Sequence, residues 1–330
     1  MNHDISSIAL RSFIIGFDGL TLPDEVALLL SHGLAGVALF GRNIADADQV
    51  RALNGAIREA AKGRTPIIAV DQEGGRVQRL RHIVANVPTM AEIGQIGPDA
   101  ARDIGHRIGE SLADLGFNVD FAPVLDVASN PDNPIIGDRA FGDDPVWVAA
   151  CGKSFVKGLE STGVLACGKH FPGHGDASAD SHLELPVIRA ELDEINVREL
   201  PPFEALVRAG IGMMMTAHCL YPAIDPEHPA TLSRNVVTGL LRDRFGFDGV
   251  VITDDLGMKA VSTRYEPSDI LRLGMAAGVD LFMHCGAAGE GISMIKEMTR
   301  LLEAGEVDTT RLSASQERIS SFCLRVRCPL

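Results

Sequence analysis

Eight short apolar runs, rich in β-branched residues, recur along the 330-residue chain, and each is followed by an amphipathic helical pattern. The runs lie at 12–17, 36–40, 66–70, 119–125, 163–167, 213–217, 249–253 and 279–283. The helical patterns lie at 23–31, 46–62, 99–115, 145–160, 191–209, 233–245, 269–276 and 290–322. Strands alternating with helices predict a parallel sheet, because a crossover between parallel strands needs the length of a helix. Strands without polar alternation predict burial on both faces. Eight such units with no linker between them predict an α/β fold, a single closed (β/α)8 TIM barrel rather than an open sheet. An open doubly wound sheet wants a Gly-rich turn after its first strand, and Gly16-Phe-Asp-Gly19 is a poor match. The expected organisation is one domain over 1–330 with a C-terminal helical tail. Pro201-Pro202 is expected to bend or break the helix at 191–209.

Composition narrows the partners. Lys plus Arg number 30 against 44 Asp plus Glu, a net charge of −14. That balance, with no basic block, argues against nucleic acid as a ligand. The six cysteines are scattered with no CxxC pair, so neither a disulfide framework nor a zinc cage is expected. No apolar run reaches the ~18 residues of a membrane span, and Met1-Asn-His-Asp-Ile-Ser-Ser lacks the basic start of an export signal. The cytoplasm is the expected location.

The polar residues then fall into place on this frame. Asp18, Arg42, Asp71, Asp126, Lys169-His170, His218, Asp254 and His284 all sit at or just beyond predicted strand C-terminal ends. In a barrel those ends share one face, where active sites lie. One polar strand end is readily a cap; titratable groups at eight of them are better explained by a site.

Within that set, several constellations carry chemistry. The seventh run, Gly249-Val-Val-Ile-Thr253, holds no charge and then presents Asp254 and Asp255. Asp255 is well placed to cap the next turn, which leaves Asp254 as a candidate nucleophile or base. In Asp180-Ser181-His182 a carboxylate two residues from an imidazole can fix its tautomer and favour the imidazolium, which suits a proton donor. An Asx-turn beside a surface histidine fits the same residues. Lys169, His170, Arg139, Arg79 and Asp71 form a set of donors with one acceptor, suited to a polyhydroxylated ligand, or alternatively to a structural ion-pair network. A metal site on His170, His174, His182, His218 and His284 is the competing arrangement. His170 and His174 span Pro172-Gly173 and share no helical face, and no His-x-His follows the first strand.

Taken in order, Gly36-Val-Ala-Leu-Phe-Gly-Arg-Asn43, Asp71-Gln-Glu-Gly-Gly-Arg-Val-Gln-Arg79, Phe121-Ala-Pro-Val-Leu-Asp126, Ile136-Gly-Asp-Arg-Ala-Phe141, Lys169-His-Phe-Pro-Gly-His-Gly175, Asp180-Ser-His182 and Thr253-Asp-Asp-Leu-Gly-Met258 resemble glycoside hydrolase family 3. The resemblance is closest to its single-domain bacterial β-N-acetylhexosaminidases of peptidoglycan recycling. It runs from about Phe13 to the last barrel helix. The resemblance implies a catalytic domain in which Asp254 forms a covalent glycosyl-enzyme and His182, paired with Asp180, is the acid/base. Asp71, Arg79, Arg139, Lys169 and His170 would bind the N-acetylglucosamine unit, with Met258 close by. It further implies GlcNAc-terminated muropeptides as substrates and neither metal nor cofactor. Ala140, Thr253 and Gly257 stand where serine is common in the family.

His174, flanked by two glycines, is expected to shape its loop rather than to bind or react. Three rival readings stay open at this level. They are a phosphorylase or other β-glycosidase on the same fold, a metal-dependent barrel hydrolase, and a catalytically silent sugar-binding protein.

Overall fold

The computed structural model describes residues 3–178, 180, 181 and 184–326. Eight strands close into a barrel: β1 (Phe13–Ile15), β2 (Gly36–Leu39), β3 (Ile67–Val70), β4 (Val119–Asp120), β5 (Leu165–Phe171), β6 (Met213–Thr216), β7 (Val250–Asp255) and β8 (Leu281–His284). Each strand pairs in parallel with its sequence neighbours, and β1 pairs with β8 through Phe13↔Phe282 to shut the ring. The chain is therefore the (β/α)8 TIM barrel that the alternation predicts.

The two-residue period of a strand divides its side chains between two cores. Ile14, Ala38, Ala69, Met213, Met215, Val250 and Ile252 fill the barrel interior. Their neighbours Phe13, Ile15, Val37, Leu39, Ile68, Met214 and Val251 pack outward with the helices. Both faces are dry, which is why the strands read as continuous apolar runs.

The departures from expectation have local causes. β4 is regular over only two residues of the run at 119–125. Pro123 has no N–H for the ladder, yet the chain stays beside β5 through Leu125 N to Lys169 O (2.6 Å) and Lys169 N to Pro123 O (3.2 Å). Conversely, β5 runs on past Cys167 to Phe171, all buried, and β7 runs on to Asp255. Charged residues thus belong to the strands themselves, because partners across the barrel mouth satisfy them.

The helix expected at 191–209 is two, Leu192–Arg198 and Leu200–Arg208, with the prolines in the first turn of the second, where a missing N–H costs nothing. The segment at 233–245 winds as a π-helix over Asn235–Arg244, and the tail is two helices, Ala288–Glu303 and Thr309–Arg325. Elements not anticipated include a helix at His3–Arg11, a small hairpin of Gln72–Gly74 with Val77–Gln78, and a helix at Met90–Ile96. The last has a capping box: Thr89 Oγ1 accepts from Glu92 N at 3.1 Å and Glu92 Oε2 from Thr89 N at 2.9 Å.

Candidate active site

A pocket of about 170 Å³ opens at the C-terminal ends of the strands. The barrel-interior side chains Met215, Met283 and Cys285 lie at its base. Asp71, Arg79, Arg139, Lys169, His170, Asp254 and Met258 all line it, so the barrel assembles seven residues that are far apart in sequence. Asp180 lies in the loop after β5, its carbonyl accepting from Glu184 N at 2.9 Å. His182 lies outside the described residues; Ser181, its neighbour in the chain, is buried and lines the pocket.

One wall is a continuous ionic network. Lys169 Nζ stands 2.7 Å from Asp71 Oδ1 and 2.5 Å from Glu73 Oε1. Arg139 meets both oxygens of Glu73 at 2.8 Å, a bidentate pair. Arg79 reaches Asp71 Oδ2 at 3.3 Å and lies over the Phe40 ring. Three cations thus face two carboxylates. Burial alone would push Glu73 upward, but Arg139 and Lys169 outweigh it and hold the carboxylate well below its usual range. Burial likewise pulls Lys169 down, and Asp71 and Glu73 reverse that, keeping it charged. Glu73 lies inside a motif read as binding sugar, but the sequence assigns it no role. Its pairing with Arg139, 66 residues away, is visible only in the fold.

The second wall rests on Asp126, a fully buried carboxylate just beyond β4. Its Oδ2 accepts from His170 Nδ1 at 2.7 Å, and its Oδ1 from the backbone N–H of His170 (3.2 Å) and of His174 (2.7 Å). Carboxylate Asp126 can only accept, so His170 carries its proton on Nδ1 and turns Nε2 toward Arg139 Nη2, 3.4 Å away. The fold thus places His174 in the pocket wall, fully buried, rather than merely at a loop bend.

Asp254 closes the third side. Its Oδ1 accepts from Asp255 N at 2.8 Å, and Oδ2 makes no hydrogen bond among the described residues. Burial would raise its pKa, but His170, His218, the Asp255 N–H and Lys169 together lower it. An ionised carboxylate with one free oxygen in a pocket is the state a nucleophile needs. Asp255 does different work: its Oδ1 accepts from Gly257 N and Cys285 N, both at 2.9 Å, and so caps the turn after β7.

The remaining strand-end residues bind the frame together. Arg42 pairs with Asp18 at 2.9 Å and donates to the carbonyls of Phe17 and Cys285, joining the ends of β1, β2 and β8. His218 is held by Thr231 Oγ1 (2.8 Å) and Asp255 O (3.1 Å), and His284 Nδ1 accepts from Gly286 N. No group of three His, Cys, Asp or Glu arranged to hold a metal ion occurs among the described residues. No described helix is long and apolar enough to cross a membrane.

Comparison with known proteins agrees with this geometry. Residues 16–322 match the glycosyl hydrolase family 3 N-terminal domain. The chain is 36% identical over 330 residues to β-hexosaminidase A of Pseudoalteromonas piscicida, covering 92% of this chain and 55% of that one. It is 38% identical over 286 residues to the β-hexosaminidase of Thiobacillus denitrificans, covering 84% and 79%. A family 3 β-N-acetylglucosaminidase from Paenibacillus sp. superposes with a TM-score of 0.94 at 36% identity, over 97% of this chain and 62% of that one. The chain thus spans little more than half the length of the first of these relatives. A barrel with this site, matched from Gly16 to Phe322, belongs to glycosyl hydrolase family 3.

Proposed function

We propose that the chain is a β-hexosaminidase, and more narrowly a retaining, exo-acting β-N-acetylglucosaminidase that removes terminal GlcNAc from muropeptides. The observation that carries the reading is Asp254, an ionised carboxylate with a free oxygen in the same pocket as the Arg79–Asp71–Lys169–Glu73–Arg139 network. The network offers donors and acceptors at fixed spacing, as a pyranose with several hydroxyls requires. The curated relatives bearing the β-hexosaminidase name support the sugar class.

In this reading Asp254 Oδ2 attacks the anomeric carbon while an acid protonates the departing glycosidic oxygen, giving a covalent glycosyl-enzyme. Water, deprotonated by the same group, then displaces Asp254 and restores the anomeric configuration. His182, oriented by Asp180, fills the acid/base role; an imidazole titrates near neutral pH and so can serve both steps. GlcNAc-1,6-anhydroMurNAc, with or without peptide, is the substrate class proposed, which places the reaction in peptidoglycan recycling in the cytoplasm. Residues 1–330 are taken as one catalytic domain.

Hydrolysis of an aryl β-GlcNAc tests the reading. Parent protein should turn it over with a strong chelator present, and Asp254→Ala should lose about 10³-fold or more in kcat. Near-parental hydrolysis by Asp254→Ala overturns the assignment.

A further inference from the structure

The proposed nucleophile and binding network leave unused the imidazole of His174, which is buried and lines the pocket. Its Nε2 lies 3.2 Å from Ser181 Oγ, and its buried Nδ1 has no hydrogen-bond partner among the described residues. An orphaned lone pair costs less than an orphaned N–H. The ring therefore carries its proton on Nε2 and donates it to Ser181 Oγ.

Both ends of this contact are anchored. The His174 backbone N–H is held by Asp126 Oδ1, the same carboxylate that orients His170. Asn133 Nδ2 donates to the carbonyls of His174 and Gly175, each at 2.8 Å. A side chain at either flanking position would be strained. A Cβ on Gly175 would lie 1.7 Å from the Val127 carbonyl oxygen, and Gly173 has φ +132° against the Glu199 carboxylate. At the other end, Ser181 is buried and its carbonyl accepts from Ala260 N at 3.2 Å, just beyond the turn after β7.

We propose that His174 is a positioning residue, an uncharged strut between the buried Asp126 platform and Ser181, the residue that precedes His182 in the chain. The proposal rests on the reading of His182 as acid/base. Burial supports it by pushing His174 down to about 4, so the ring stays uncharged at neutral pH. Through Asp126 the same strut ties the sugar-binding His170 to the loop that carries the proton donor. Sugar binding and protonation thus share one reference point.

The test compares kcat/KM for dinitrophenyl and phenyl β-GlcNAc, since only the poorer leaving group needs a proton to depart. His174→Phe keeps the ring volume and removes the hydrogen bond; Ser181→Ala removes its partner. Each should lose roughly 100-fold on the phenyl substrate and less than about 3-fold on the dinitrophenyl one. The double variant should be no worse than either alone. His174→Gln, which restores a terminal N–H donor, should recover most of the loss. Equal losses on both substrates, or none on either, overturn the strut. A parent protein inactive on both substrates instead overturns the functional reading beneath it.

Discussion

Glu73 and Arg139 meet at two points, Nε to Oε2 and Nη2 to Oε1, both at 2.8 Å, inside a pocket wall that leaves Glu73 only 1% exposed. The pair fixes the guanidinium plane, and Lys169 on the same carboxylate fixes the ammonium beside it. Glu73→Gln keeps the shape and removes the charge that balances both cations. Breaking one side of a buried pair typically costs about 3–5 kcal/mol. Urea unfolding should show a loss of that order, and KM for an aryl β-GlcNAc should rise about tenfold or more. An unchanged KM would mean that Glu73 has no part in holding the cations proposed to bind the sugar.

Asp254 is kept ionised below the usual carboxylate range against the pull of burial, by His170, His218, the Asp255 N–H and Lys169. If Asp254 is the nucleophile proposed above, its protonation should shape kcat/KM only at the acid extreme of the profile. Lys169→Met removes one of these influences and should move that acid limb to higher pH, whatever it does to sugar affinity. A limb that stays in place in Lys169→Met would show that another group sets it.

Glu199 is buried beneath the loop after β5, with Arg198 and Ser129 on Oε1 and no hydrogen-bond partner for Oε2 among the described residues. Burial pushes its carboxyl up to about 7, with Arg198 and Ser129 opposing. Between its ordinary value near 4.5 and about 7, the folded protein retains a proton that the unfolded chain releases. Stability from this group is therefore complete below about pH 4.5 and is lost as pH rises through 7. Glu199→Gln should remove that slope and exceed the parent by about 3 kcal/mol at pH 8. Denaturation midpoints at pH 5 and 8 measure it; a difference between parent and variant that does not change with pH contradicts it.

Two glycines give a paired prediction of opposite sign. Gly175→Ala drives a Cβ into the Val127 carbonyl and should cost about 1–3 kcal/mol, with activity falling as the His174 segment shifts. Gly55, inside the helix Ala47–Ala60, has open space around a built Cβ. Gly55→Ala should add about 0.5–1 kcal/mol from helix propensity alone. Thermal unfolding of both variants is the check, and a stabilising Gly175→Ala would contradict the close approach.

The barrel was legible in the sequence because two dry faces leave strands little room for polar residues, so the eight appear as mostly apolar runs, with Asp120 and Asp280 as buried exceptions. The strand-end polar residues were legible for the complementary reason: Asp71, Lys169 and Asp254 break such runs where nothing about packing asks for charge. What the sequence does not show is pairing at a distance. Glu73 resembles one member of a Gly-rich motif until Arg139 and Lys169 close on it. Asp126 resembles one more strand-end acid until the backbone of His170 and His174 folds onto its oxygens. The small hairpin at Gln72–Gly74 and Val77–Gln78 has no apolar alternation to announce it; Gln78 Oε1 holds Val87 N and Gln72 Oε1 holds Leu80 N instead. The helix at Met90–Ile96 could have been found from Thr89-x-x-Glu92 alone.

The claim on which the account turns is that Asp254 forms a bond to the anomeric carbon. Mass spectrometry of the protein inactivated with a 5-fluoro β-GlcNAc donor measures it directly. The account predicts one fluorosugar per chain, on the peptide containing Asp254, and slow recovery of activity as the adduct hydrolyses. A label on any other residue, or full turnover with no adduct and inverted product, would contradict it.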